Sequence, residues 1–196
     1  MDYESLEDRQ LAKMAAEGRD GAYRELLSRY ERPVYSLILR MVSDATLAED
    51  LAQEAFVKAF NAIGKYDPQY KFSSWIFKIA NNRAIDHLRK RELETVSIDG
   101  SPDATTAEEA EESSIVLESR EESPEKFTES RELGGQIEEA IGKLKPEYRS
   151  VILLRHVEGH AYDEIADILE LPLGTVKTYI HRARAQLKAE LASLAL

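Results

Sequence analysis

Apolar residues in this chain recur at spacings of three and four and nowhere in sustained alternation, so the amphipathic helix is the regular element it can build. The longest run is Tyr23, Leu26, Leu27, Tyr30, Val34, Leu37, Ile38 and Met41, with Arg24, Arg29, Arg32 and Arg40 largely off that face. A shorter run over residues 6–17 carries Leu6, Leu11, Met14 and Ala15 and stops at Gly18. Pro33 removes a backbone donor inside the long run, which predicts a kink or a break. Thr46 and Glu49 have capping-box spacing and open a helix bearing Leu51, Ala55, Phe56, Ala59 and Ile63, ended by Gly64. The next helix runs from Trp75 to about Arg91, with Ile76, Ile79, Ala80, Ala84 and Leu88 inward. Order returns at Leu133 with Ile137, Ile141 and Leu144, then Tyr148, Val151, Ile152, Leu154 and Val157 up to Gly159.

Between residues 92 and 132 the periodicity fails. Ser, Thr, Glu, Asp, Pro and Gly dominate, which leaves too little apolar surface to offset ordering entropy, so a mostly disordered linker is expected. Ile115-Val116-Leu117 is its one apolar cluster. This stretch carries 14 acids against 3 bases, which equals the whole chain's net charge of −11. The expected architecture is all-α: two small helical domains, residues 1–91 and 133–196, each nearly neutral, joined by an acidic strap.

Several classes of function drop out. The chain has no cysteine, which removes disulfides, thiolate metal sites and thiol chemistry. No apolar run reaches the about 18 residues that cross a bilayer, and the acidic start Met1-Asp2-Tyr3-Glu4 is unlike a secretory signal. A cytoplasmic protein without membrane insertion is expected. His156 and His160 are four apart, but Gly159 interrupts them and the metalloprotease order is absent, so no metal or cofactor is expected. No phosphate loop and no nucleophile–base pair appears, so no enzymatic chemistry is expected.

The C-terminal segment is the most informative. Tyr162 to Leu169 forms a short amphipathic helix, Glu170-Leu171-Pro172 a tight connection, and Gly174 onward a second helix anchored by Val176 and Ile180. Ile165, Leu169, Leu171 and Val176, with small Ala166 at the crossing, have helix-turn-helix spacing. Residues 158–170 hold five acids and no Lys or Arg, whereas residues 172–188 hold four bases and no acid. A helix entering the major groove sheds carboxylates and offers donors to base edges. An ordinary helical hairpin with a solvated basic face is the competing explanation. Glu170 stands where many such turns carry glycine, which predicts a less tight turn.

Two N-terminal patterns are ambiguous on local evidence. Residues 65–91 interleave Phe72, Trp75, Phe77, Asn81 and Asn82 with seven bases and only two acids. Aromatic faces, amides and cations together equip a single-strand site, but the same aromatics at helical spacing also fill cores, and Trp75 is expected to be mainly core. The acidic face Glu49, Asp50, Gln53 and Glu54 is either a solvated surface or a contact.

These patterns converge on a resemblance. Asp50-Leu-Ala-Gln53-Glu54-Ala-Phe56, then Phe72-Ser-Ser-Trp75-Ile76, then Ala80-Asn81-Asn82-Arg83-Ala84-Ile85-Asp86 resemble domain 2 of bacterial extracytoplasmic-function sigma factors. Leu144-Lys-Pro146-Glu147-Tyr148-Arg149, then Tyr162-Asp-Glu164-Ile165-Ala166, then Gly174-Thr175-Val176-Lys177 resemble their domain 4. The resemblance implies a subunit that binds core RNA polymerase and directs promoter-specific initiation. It implies that Asp50, Gln53, Glu54 and Phe56 meet the β′ clamp coiled coil, with a second contact at the β flap. It implies that Phe72, Lys78, Asn81, Asn82, Arg83, Arg89, Lys90 and Arg91 open and hold the promoter −10 element. Lys177, Thr178, His181, Arg182 and Arg184 are implied to face the −35 element. An anti-sigma factor is an implied partner, and the linker is implied to thread the polymerase cleft and RNA exit path, where its carboxylates between Glu108 and Glu125 are expected to mimic nascent RNA. A self-sufficient helix-turn-helix regulator is the alternative, and a helical interaction protein the third; neither accounts for residues 72–91.

Overall fold

The computed structural model describes residues 2–99 and 124–194, and the described residues form helices, turns and loops without a strand. The helices are α1 (Asp8–Ala16), α2 (Asp20–Val42), α3 (Ala45–Asn61), α4 (Phe72–Asp99), α5 (Pro124–Gly142), α6 (Pro146–His156), α7 (Tyr162–Leu169) and α8 (Leu173–Leu194). The stretch 100–123, with Ile115–Leu117 and most of the strap's carboxylates, lies outside the described residues.

In the N-terminal half α2 is the hub, packed by α1, α3 and α4. Its fully buried Leu26, Val34, Leu37, Ile38 and Met41 are members of the apolar run read from the sequence. Pro33 does not break it: α2 is one helix of 23 residues. The face buried on both sides of Pro33 holds the two turns in line, so packing overrides the lost hydrogen bond. Gly18 does close α1, at φ 82°. Arg29 ties the N-terminal segment down, donating to Asp8 at 2.8 Å, Glu25 at 2.7 Å and the Leu6 carbonyl at 2.9 Å.

Three boundaries differ from expectation. The cap of α3 is Asp44, whose carboxylate accepts from the Leu47 N–H at 2.9 Å, rather than Thr46. An Asp satisfies an orphan N–H as a Thr does, so the helix starts two positions earlier and Thr46 is absorbed into its first turn. α3 ends at Asn61, and Gly64 sits in the short 3-10 turn Ile63–Lys65. α4 starts at Phe72 and runs on to Asp99, and α5 starts at Pro124, so helix extends from both sides into the expected linker. Glu, Leu, Lys and Arg dominate 88–94, and these are good helix formers even where no face is buried.

The C-terminal half packs α6, α7 and α8 around Leu153, Leu154, Ile165, Ile168, Val176 and Ile180, all buried. Of the run Ile137, Ile141 and Leu144, Ile137 is 39% exposed, and Ile141 and Leu144 make the contact. The two halves are not separate. α2 meets α5 and α6, α4 meets α6 and α7, and one contiguous apolar core runs through both.

Arg149 joins them. Its Nε donates to the Ile141 carbonyl at 3.1 Å and its Nη2 to that of Leu144 at 3.1 Å. It also donates to the carbonyls of Gly142 and of Met41 in α2. The guanidinium thus caps the carboxyl ends of α2 and α5 together, where helix dipoles favour a cation. Burial without a carboxylate partner lowers its pKa, although an arginine stays charged throughout the ordinary range.

Candidate nucleic-acid and polymerase interfaces

The helix-turn-helix forms around Ile165, Ile168, Val176, Ile180 and Ala183, each at most 2% exposed. Ile168 was absent from the anchors named above, while Leu169, Leu171 and Ala166 are only half-buried. The turn stays tight despite Glu170, which takes φ 54° and ψ 42°, the left-handed conformation a glycine would supply. The Leu171 N–H closes it on the Ala166 carbonyl at 3.0 Å. At the other end Glu164 reaches back to the Ala161 N–H at 2.9 Å, the side-chain half of a capping box.

α8 buries Val176, Ile180 and Ala183 and turns Lys177, Thr178, His181, Arg182 and Arg184 to solvent. The 100° step per residue places the four from Lys177 to Arg182 on one outward face. Thr178 is steadied by its hydroxyl donating to the Gly174 carbonyl at 2.9 Å. Arg184 lies 3.1 Å from His156 Nε2. Burial, then Arg184 and Arg155, hold the His156 pKa below its ordinary value, so the neutral ring accepts from the guanidinium. All five residues read from the sequence are presented, and no carboxylate stands among them.

On α3, Asp50, Gln53 and Glu54 line a shallow groove with Val57, Lys58, Asn61 and Arg83. Phe56 does not belong to that surface. It is 7% exposed and packs on Phe60, so it supports the groove from beneath. Val57, 61% exposed, supplies the groove's apolar element. Its signal in the sequence was a valine three residues after Glu54 on an otherwise polar face.

α4 divides the remaining candidates. Phe72 is 2% exposed, wedged among Tyr30, Tyr66 and Trp75 with ring centroids 5.3–5.5 Å away, so it is core and unavailable for stacking on a base. Trp75 is half-buried in the same cluster. Asn81 is fully buried, and neither side-chain amide atom has a partner. Lys78 pairs with Glu170 at 2.7 Å and Arg89 with Glu147 at 3.6 Å, both across the halves. Arg83 turns the other way and pairs with Glu54 of the α3 groove. Asn82 is half-buried, and Lys90 and Arg91 are exposed. The sequence reading missed Lys71, which pairs with Glu164 at 2.5 Å.

The remaining histidine of this seam is buried. His160 stacks edge-on against Phe77 at 5.2 Å, with its Nδ1 3.4 Å from Glu164. Burial pushes its pKa down more than Glu164 pushes it up, so it is neutral at pH 7. Among the described residues no group of His, Asp and Glu is arranged to hold a metal ion.

A helix-turn-helix with a carboxylate-free outward face, an acidic groove and a basic helix among the described residues fit the class of DNA-binding transcription proteins, and comparison with known proteins agrees. The family model for Sigma-70 region 2 matches residues 26–94, and that for Sigma-70 region 4 matches residues 134–187. The chain is 34% identical over 185 residues to the ECF RNA polymerase sigma factor SigW of Bacillus subtilis, covering 93% of this chain and 95% of that one. It is 34% identical over 181 residues to the ECF RNA polymerase sigma-E factor of Escherichia coli K12, covering 92% of each. Among solved structures, CnrH in complex with the cytosolic domain of CnrY aligns with TM-score 0.68 at 26% identity, covering 95% of this chain and 97% of that one. The sigma factor RpoE of Bartonella quintana, solved with the anti-sigma factor NepR, shares the fold with TM-score 0.65 at 23% identity over 87% of this chain and 96% of that one. The chain belongs to the sigma-70 family of RNA polymerase sigma factors and, within it, to the extracytoplasmic-function group. It is a promoter-specificity factor for transcription initiation, and two family regions in order on one chain displace the reading as a self-sufficient regulator.

Proposed function

We propose that this sigma factor docks on the β′ clamp coiled coil through the α3 groove of Asp50, Gln53 and Glu54. It then reads the −10 strand with α4 and the −35 duplex with α8, while the C-terminal half contacts the β flap. The observation carrying this reading is the outward face of Lys177, Thr178, His181 and Arg182, rigidly held and free of carboxylates, on the same chain as an acidic–apolar groove. Major-groove readout calls for donors on a fixed helix. Domain 2 function is placed in residues 1–91, domain 4 function in 133–196, and a connecting role in 92–132.

On α4, Lys78, Arg83, Arg89, Lys90 and Arg91 are the phosphate contacts, and Asn81 and Asn82 the base discriminators. Phe72 and Phe56 act from the core by holding α4 and α3 in place. The chain is a regulatory subunit without an active site of its own, working in the cytoplasm on the nucleoid. The relative solved with NepR supports an anti-sigma factor as a further partner.

Run-off transcription by core polymerase with and without the protein tests the proposal, on a template selected from a randomised −35/−10 library. Promoter-dependent product only in its presence is expected; its absence sinks the reading. Asp50→Lys tests the docking site separately, with core affinity expected to fall at least tenfold while the helical signal is retained.

A further inference from the structure

Resting on that reading of α4, we propose that Asp8 is a positioning residue for −10 strand recognition. It acts through Tyr30 and an aromatic cluster on the loop 66–71 and on the first turn of α4, without touching DNA itself.

Asp8 opens α1, where the helix dipole favours a carboxylate. Its two oxygens serve two consecutive residues of α2. Oδ1 accepts from Arg29 Nη1 at 2.8 Å, and Oδ2 accepts from the Tyr30 hydroxyl. Burial, then the bond to Asp8, raises the Tyr30 pKa, so the phenol keeps its proton and remains the donor. The ring oriented by this bond lies against Phe72, the first residue of α4, with centroids 5.3 Å apart. Phe72 meets Tyr66 edge-on at 5.5 Å and Trp75 at 5.5 Å, and Tyr66 meets Trp75 at 5.6 Å. Tyr66 then fixes the loop, its hydroxyl donating to the Tyr70 carbonyl at 2.7 Å, while the Asp67 carboxylate accepts from the Gln69 N–H at 2.9 Å. Asp8, Tyr66 and Phe72 also line one small cleft with Glu7, Arg9 and Tyr70, so the start of α1 faces the entry of α4.

The Asp8–Tyr30 link does little to seat α1. Leu11, Ala12 and Ala15 are buried on their own account. Arg29 also donates to the Leu6 and Glu4 carbonyls, at 2.9 Å each, and to Glu25 at 2.7 Å. Cutting the link therefore frees the Tyr30 ring and leaves α1 docked. The effect falls on Phe72 and grows along α4, because Asn82 stands about 15 Å further down the axis. A tilt of about 2° at Phe72 moves Asn82 by about 0.5 Å, which is the tolerance of a recognition site.

Trp75, the one tryptophan of the chain, belongs to the cluster and reports on it. Tyr30→Phe deletes the hydroxyl and keeps the ring, and Asp8→Asn sets an N–H against one of the two donors. In holoenzyme, selectivity is read as the ratio of affinities for the preferred −10 single strand and a base-substituted one. Each variant is expected to lower that ratio about threefold to tenfold with core affinity unchanged. The double variant should lose no more than either single, because both cut one link. In the free chain, Trp75 emission should shift to the red in both. Glu31→Gln, a charge change at an exposed neighbour on α2, should match the wild type throughout. A stabilising role alone would lower the urea midpoint and leave selectivity and emission in place, and that pattern overturns the proposal. So does a loss confined to one single variant, a loss shared by Glu31→Gln, or losses that multiply in the double variant. A wild type without strand selectivity or promoter-dependent product sinks the underlying reading of α4 as well. A selective wild type with equally selective variants sinks only the role of Asp8.

Discussion

Arg149 shows how much a single side chain holds. It is bonded to four main-chain carbonyls and no carboxylate, so no other side chain can replace its fork of donors. Arg149→Met should destabilise the chain by about 3 kcal/mol, because several buried carbonyls lose their donor at once. Lys should rescue only part of that in urea unfolding, having a point charge in place of the fork. Glu158, in the turn between α6 and α7, provides a pH signature. Burial raises its carboxyl to about 7, against the pull of Arg40. The folded chain therefore binds this proton more tightly than the unfolded chain, and stability falls as pH rises from about 4.5 to 7. Glu158→Gln should remove that fall, so the melting-temperature difference between variant and wild type grows across this interval and is flat above pH 8.

Among the elements, α8 and α2 were the most legible in the sequence and α4 the least. The residues of α8 that face outward follow from periodicity alone, because Val176, Ile180 and Ala183 define the buried side. On α4 the aliphatic face of Ile76, Ala80 and Ala84 was legible and is buried, but its aromatics, amides and bases crowd the flanks of that face, so local spacing does not rank them by burial. Phe72 is settled by Tyr30, far from it in sequence, together with nearby Tyr66 and Trp75. Phe56 similarly looked like part of an acidic surface until the packing of α3 on α2 turned it inward. Two predictions belong here. Arg182→Ala should lower discrimination at one −35 base pair by about 1–3 kcal/mol in holoenzyme binding assays, leaving the fold unchanged. Pro33→Ala should raise unfolding free energy by about 1–2 kcal/mol, since α2 is already straight enough to be one helix and regains a donor.

At the scale of the whole molecule, the two helical halves also pack against each other. Net charge of −11 resides in residues 92–132, yet Lys71, Lys78 and Arg89 of the basic stretch meet their carboxylates across the seam between the halves. That seam was invisible in the sequence because its partners, such as Lys78 and Glu170, are too far apart in the chain for any periodic pattern to relate them. Ion pairing there makes the contact between the halves salt-sensitive, and cross-linking of Lys78 to Glu170 should fall as ionic strength rises from about 50 to about 500 mM, over which the Debye length shrinks from about 14 Å to about 4 Å.

The Arg149 joint has an evolutionary corollary. Its acceptors are peptide oxygens, which every residue type carries, so the joint itself sets no side-chain identity at positions 41, 141, 142 and 144 beyond what core packing demands there. Even a methyl group added at Gly142 would meet only the Ser43 hydroxyl, at 4.0 Å. A hinge read from the backbone leaves the promoter-reading and partner-reading surfaces to diversify around it while the geometry between them is inherited intact.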